Sequence, residues 1–383
     1  MVRIWPKFGE PTVAKGTILT WFSERFLVFS LNPYFVGKSK YMSVTLDFKS
    51  DTVTKPTDAM LDAMMSAEVG DDVFGQDPTI NALEAKAAGM FGHEAALFCP
   101  SGTMTNQIAI KVHTQPGEEV ICDRLAHIYN YEGGGIAMNS GCSVRLLHGD
   151  KGRFVANDIL ENINPDDPHH PRTTLVSIEN TSNKGGGAIW KQEEVQRIKK
   201  VCAENALKLH LDGARLFNAL VETGESTQLI GETFDSISIC LSKGLGCPVG
   251  SLLIGNADFI YQAIRVRKVF GGGMRQAGYL AAAGVFALDN HVERLKKDHA
   301  LAKEIGNLLQ SQSWVSEVMN VETNIVVAVL ADAGKQKQII QALTKLGIET
   351  VAFGHGKIRF VTHLSLPSNA LDYTADAFKR LEI

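Results

Sequence analysis

Two residues carry the most direct chemical signal in this chain: a lysine among small residues, and an aspartate, each closing an apolar run. Lys243 ends the stretch Ser236-Ile237-Ser238-Ile239-Cys240-Leu241-Ser242-Lys243-Gly244-Leu245-Gly246, and Asp212 ends Leu207-Lys208-Leu209-His210-Leu211-Asp212 before Gly213-Ala214-Arg215. Both runs read as strands, and open α/β sheets place ligands at the carboxyl ends of strands. A lysine there is partly withdrawn from water, which disfavours the ammonium and favours a nucleophilic amine able to form an imine with a carbonyl-bearing cofactor. An acid on a neighbouring strand end suits a ring nitrogen that must keep its proton, so that the ring can act as an electron sink. Singly, each reads as well as a solvated strand-end lysine or a helix-capping aspartate. Together they specify a cofactor chemistry and not merely a pocket.

Other segments fit that chemistry. Cys99-Pro100-Ser101-Gly102-Thr103-Met104-Thr105-Asn106 supplies a strand, a small-residue turn and a helix start, whose free N–H groups suit a phosphate. It lacks the GK[ST] ending of a nucleotide P-loop, and no GxGxxG follows a strand, so a nucleotide-binding module is the weakest reading. His127 follows a predicted strand and is suited to stacking on an aromatic ring or moving a proton near neutral pH. His169-His170, in a polar Pro-rich loop, reads as solvated, and no metal site is assigned.

These residues need a scaffold. From about residue 55 to 295 short apolar strands alternate with helical stretches, which predicts an α/β fold with a mostly parallel seven-stranded sheet covered on both faces. The strands are expected at 95–99, 119–122, 143–147, 174–178, 207–212, 236–241 and 251–254. Val195, Ile198, Val201 and Cys202 recur at helical spacing, marking a crossover helix with one buried face. A long helix leads out after 289–294. Then 323–330 is strand-like, 335–346 helical, and 348–361 reads as two strands around Gly354-His355-Gly356, giving a smaller α+β C-terminal domain. The expected domains are 42–295, the cofactor-binding unit, and 296–383, with 1–41 an extension lacking a fold of its own. That extension has six basic residues against Glu10 and Glu24, and Met42 reads as the natural start.

Composition excludes other classes. A formal net charge of -4 offers no basic stripe for nucleic acid. Six scattered cysteines without a CxxC pair suit a reducing cytoplasm, and no apolar run is long enough for a membrane span.

Several stretches, in order, resemble the threonine aldolases, pyridoxal-phosphate (PLP) enzymes of fold type I. They are 47–56 with Ser50-Asp51-Thr52-Val53-Thr54, 70–75 (Gly-Asp-Asp-Val-Phe-Gly), 101–104, 127–132, 212–215, 242–246 and 271–276 (Gly-Gly-Gly-Met-Arg-Gln). The resemblance spans about residues 45–363. It implies a PLP-dependent aldehyde-lyase that cleaves L-threonine, L-allo-threonine and related β-hydroxy-α-amino acids to glycine and an aldehyde. Lys243 would form the imine, Asp212 contact the ring nitrogen and His127 stack on the ring, with Gly102 and Thr103 holding the phosphate. Ser50, Arg215 and Arg359 would hold the substrate carboxylate. Lys268 and Arg275 would reach the cofactor of a neighbouring subunit, implying a homodimer or homotetramer with shared active sites.

The chain departs from the family pattern at three points. Phe74 replaces an expected tyrosine, Lys49 an arginine, and Ser182 a histidine. The catalytic base, His127 or a water it orients, stays open, as does preference between threonine and allo-threonine. A β-eliminating lyase, an aminotransferase, or a PLP-binding regulator without turnover are the competing readings.

Overall fold

The computed structural model describes residues 45–382, and the expected N-terminal extension, residues 1–41, lies outside the described residues. Those described belong to one unit, Val44–Ile383. Its thirteen strands are β1 (Leu46–Asp47), β2 (Ala95–Cys99), β3 (Glu119–Asp123), β4 (Ser143–Leu147), β5 (Thr173–Glu179), β6 (Lys208–Gly213), β7 (Ser236–Cys240), β8 (Ser251–Gly255), β9 (Val315–Val318), β10 (Ile325–Leu330), β11 (Ile348–Glu349), β12 (Val351–Ala352) and β13 (Lys357–Val361).

The seven strands expected between residues 95 and 254 form one sheet in the order β2-β8-β7-β6-β5-β3-β4. Only β8 runs against its neighbours β2 and β7; the pairs among β3 to β7 are parallel. Every residue of β3, β7 and β8 is buried, as expected of central strands covered on both faces; β8 (Ser-Leu-Leu-Ile-Gly) reads as an apolar run, whereas β7 (Ser-Ile-Ser-Ile-Cys) alternates and buries its serines as well. The helix Gln192–Glu204 buries Val195, Ile198, Val201 and Cys202, the spacing read from the sequence. Parallel order means that β5, β6 and β7 all end on one side, bringing Glu179, Asp212 and the segment after Cys240 to a common edge.

After the helix Gly278–Asn290 the chain turns through 291–294 and enters the long helix Leu295–Gln310. That helix packs on a four-stranded antiparallel sheet, order β12-β13-β10-β9, through a core that includes Ile305, Leu309, Val326 and Phe360. Two features here go beyond the sequence reading. The 348–361 segment forms three strands, with β11 pairing in parallel with β1 instead of joining the four-stranded sheet. The edge strand β9 also escapes a pattern search, since Ser316 and Glu317 are exposed between two valines. Strands of two to four residues carry too little periodicity to be seen. The β1–β11 pair matters for function, because together with the Val361 N–H that donates to the Phe48 carbonyl at 2.8 Å it anchors the chain just before Ser50.

Candidate active site

Asp212 is the last residue but one of β6 and is almost completely buried. Its carboxylate accepts from the backbone N–H of Ala214 at 3.2 Å and from Asn106 Nδ2 at 3.0 Å. Asn106 lies on the helix Gly102–His113, which starts beyond the end of β2 with Ser101 as cap; the Ser101 hydroxyl accepts from Met104 N–H at 3.2 Å. The same Nδ2 donates to Glu132 Oε1 at 2.9 Å, and Gln107 Nε2 donates to Glu132 Oε2 at 2.7 Å. His127 Nδ1 lies 3.0 Å from Glu132 Oε1, so Glu132 fixes the ring while Glu179 Oε2 accepts the His127 backbone N–H at 2.8 Å. One ligand-type atom from each of His127, Glu132 and Asp212 lies within 4.8 Å of the others. The hydrogen bonds through Asn106 and His127 account for that proximity without an ion.

Three buried carboxyls and an imidazole in one place perturb one another. Burial opposes protonation of His127, yet its hydrogen bond to Glu132 and the charges of Asp212, Glu132 and Glu179 outweigh it and raise the imidazole. Burial and then repulsion from Asp212 push Glu179 up to about 7, against the hydrogen bonds it accepts from Asn183 and His127.

Lys243 follows β7 and is half-buried, with Nζ 3.1 Å from Cys240 Sγ. A Cβ added to Gly102 would come within 2.5 Å of that same sulfur. The helix start therefore approaches Lys243 as closely as it does only because residue 102 has no side chain. Thr103 is exposed on that first turn. A small cavity beside Lys243 is also lined by Ala214 and Arg215.

The third cluster is cationic. Arg215 makes a parallel two-point pair with buried Asp51, Nε to Oδ2 at 2.8 Å and Nη2 to Oδ1 at 2.7 Å. Asn324 Nδ2 donates to Asp51 at 3.2 Å. Arg359, on β13, donates from Nη1 to Asn183 Oδ1 at 2.9 Å and from Nη2 to the Lys49 carbonyl at 2.9 Å; its buried Nε has no hydrogen-bond partner among the described residues. Burial, and then the charge of Arg215, push Arg359 down to about 10. With Asp51 committed to Arg215, the pair of arginines lacks one counter-charge, which is the electrostatic setting for an anion such as a carboxylate. Ser50 stands beside Asp51, its hydroxyl accepting from Thr52 N–H at 3.2 Å.

Lys243, Asp212, His127, Gly102, Ser50, Arg215 and Arg359 are thus linked by direct contacts or by shared partners and charges. Lys268 and Arg275 are not part of this cluster. Lys268 lines a separate cavity of about 500 Å³ with Asp72, Glu84, Arg267 and Gly273, and Arg275 pairs with Asp71 at 2.8 Å on the exposed surface. Phe74 is exposed near the Arg275 guanidinium, 5.8 Å from its ring centre. Ser182 spends its hydroxyl on Gly185 N–H at 3.2 Å, inside a turn. His169 is exposed and bonded to Asp167. Glu84, in the separate cavity, accepts from Phe98 N–H at 2.7 Å and is pushed by burial up to about 7. Since the folded state holds that proton between about 4.5 and 7, its stability falls as pH rises through that window. Glu84→Gln is expected to stabilise the fold by about 1–2 kcal/mol at pH 8 and negligibly at pH 5, read as thermal midpoints at both pH values.

Sequence comparison bears on the whole described chain. A family described as beta-eliminating lyase matches residues 47–333. The low specificity L-threonine aldolase of Escherichia coli (strain K12) is 42% identical over 335 residues, covering 85% of this chain and 96% of that protein. The low specificity L-threonine aldolase of Saccharomyces cerevisiae (strain ATCC 204508 / S288c) is 39% identical over 327 residues, covering 84% and 83%. Among solved structures, threonine aldolase of Leishmania major superposes with a TM-score of 0.76 at 24% identity, covering 88% of this chain and 99% of that one, a likeness of fold. The chain belongs to the beta-eliminating lyase family, in its low-specificity L-threonine aldolase branch.

Proposed function

We propose that this protein is a PLP-dependent aldehyde-lyase that cleaves L-threonine, L-allo-threonine and related β-hydroxy-α-amino acids to glycine and an aldehyde. The observation that carries this reading is the near-full-length likeness to low-specificity L-threonine aldolases. The site supports it independently, because its residues fit the cofactor. Lys243 offers an amine, Asp212 a buried carboxylate and His127 an imidazole held by Glu132. Gly102, where a Cβ would meet Cys240, leaves backbone N–H groups of the helix start open to a phosphate, with Thr103 beside it.

When bound, the cofactor supplies a carbonyl that captures the substrate amine and a ring that takes up the electrons of the broken Cα–Cβ bond. Lys243 would hold the cofactor through its Nζ amine. Arg359, through its unpartnered Nε, binds the substrate carboxylate together with Arg215 and Ser50. Clamping the carboxylate would fix the orientation of the substrate's Cα substituents, which selects the bond that breaks. Asp212 would face the ring nitrogen and favour its protonated form, and His127 would lie against the ring and receive the β-hydroxyl proton, directly or through a water it orients. Because its neighbours raise His127, a neutral imidazole is less populated near pH 6.5 than for a free histidine. The rate kcat is expected to rise with pH above that range; a kcat profile flat from about pH 6 to 9 counts against His127 as proton acceptor.

The 42–295 segment is assigned the cofactor and the 296–383 segment the closing of the carboxylate end, through Arg359. Lys268 and Arg275, lying apart from Lys243, are assigned to the cofactor of a second subunit, in a homodimer or homotetramer. No helix among the described residues is long and apolar enough to cross a membrane, and we place the enzyme in the cytoplasm. A product panel tests the reading. Incubation with L-threonine and L-allo-threonine should give acetaldehyde and glycine, whereas pyruvate from L-serine or an amino-acid-dependent transamination would assign the site to a β-eliminating lyase or aminotransferase. Cofactor absorbance with no product would leave a PLP-binding regulator.

A further inference from the structure

Beneath Asp212 lies a chain of polar side chains, buried except for half-buried His113 at its far end, that the cleavage chemistry does not itself use. Asn106 and His113 sit seven residues apart on the helix Gly102–His113, hence two turns apart on one face. His210 and Asp212 sit two apart on β6, hence on one face of the sheet. Ser236, the first residue of β7, pairs in register with His210. Helix and sheet meet through these positions. His113 Nε2 lies 2.8 Å from Ser236 Oγ, Ser236 Oγ lies 2.8 Å from His210 Nδ1, and His210 Nε2 lies 3.1 Å from Asn106 Oδ1. The far end is pinned by Phe259, which stacks on His113 with ring centres 4.6 Å apart.

The direction of this chain is fixed at one end. Asn106 faces two carboxylates, Glu132 and Asp212, with a single nitrogen. Turning the amide over would put its oxygen against both acids, so Nδ2 must face them and Oδ1 must face His210. His210 therefore donates from Nε2 and accepts at Nδ1. Ser236 then donates to His210 and accepts from His113 Nε2–H. Burial pushes His210 down to about 3 and His113 to about 4, so both rings stay neutral at working pH and the order of donors persists.

We propose that Asn106 is a positioning residue for Asp212, the terminal donor of a one-way relay, His113 to Ser236 to His210 to Asn106. The relay holds the Asp212 carboxylate in place, aimed at the cofactor's ring nitrogen. This rests on the PLP reading above. Asn106 also bridges Asp212 and Glu132, its one nitrogen donating to both buried carboxylates. Through Glu132 it couples the acid under the ring nitrogen to His127.

The test uses the full chain and PLP itself, comparing wild type with Asn106→Asp, which keeps the shape but replaces a donor with a third acid. A second variant, Ser236→Ala, breaks the relay without altering any atom that touches Asp212. The readouts are PLP affinity by equilibrium dialysis, absorbance of the bound cofactor against pH, and kcat apart from KM. Asn106→Asp should weaken PLP binding about tenfold or more and move the pH transition of the absorbance to lower pH, since a ring nitrogen without a charged partner loses its proton more readily. Its kcat should fall while KM stays within about twofold, because the carboxylate is held elsewhere. Ser236→Ala should shift the same readouts in the same direction by about two- to fivefold. Wild-type affinity and pH profile in a folded Asn106→Asp overturns the proposal, and an unaltered Ser236→Ala overturns the relay; if Asn106→Asp does not fold, Ser236→Ala decides alone. A wild-type protein that takes up no PLP is a different failure, that of the underlying functional reading.

Discussion

Replacing Lys243 with alanine is expected to lower aldehyde release from L-allo-threonine by about a thousandfold or more, while the fold and the phosphate site survive. The lysine follows β7, is half-buried, and its side-chain hydrogen bond to Cys240 Sγ is weak, so truncation removes little packing. What it removes is the amine through which the cofactor is held and then exchanged for substrate. Steady-state kcat with thermal unfolding of the same samples checks this. A variant that keeps within about tenfold of wild-type kcat would move the reactive amine elsewhere.

The second large effect concerns stability. Asp51 is fully buried, accepts both bonds of Arg215 and one from Asn324, and lies near the charge of Lys243. Burial works to raise its pKa, but Arg215 prevails and holds the carboxyl at about 2. Asp51→Ala leaves Arg215 buried with no counter-charge next to Arg359, a change expected to cost about 3–5 kcal/mol. The same pair shapes the acid limb of stability. A depressed carboxyl contributes stability that is complete above about pH 4, its unfolded value, and is lost as pH falls toward 2; here that is about 2 kcal/mol. Urea midpoints at pH 7 and pH 3 should therefore differ less in Asp51→Ala than in wild type. An equal pH dependence in both proteins would show that the pair does not titrate as described.

The large sheet was legible because its central strands are short apolar-rich segments separated by helical stretches, as in Val120–Cys122 within β3 and Leu252–Ile254 within β8. Strand ends then located Asp212 and Lys243 by a physical rule. The likeness to threonine aldolases supplied Ser50, Gly102, Arg215 and Arg359, which long-range folding alone brings together; β1–β11 pairing and β13 are too short or too distant in sequence to suggest it. What sequence reasoning missed was the support behind these residues. Asp51, Glu132 and Asn183 lie inside or beside recognised stretches without a role having been seen for them. Asn106 and Gln107 did leave a signal, two consecutive amides on the buried side of a helix, and Glu179 another, an acid closing an apolar strand. Polar residues in buried positions require partners, and here the partners were one another.

The most direct test of the central claim is product stoichiometry from the PLP-loaded protein on L-allo-threonine, with glycine and acetaldehyde measured in the same reaction. Cleavage of Cα–Cβ predicts equal amounts of the two, in many turnovers per protein chain. A protein that binds PLP and consumes the amino acid without releasing glycine and acetaldehyde in equal amounts would contradict it.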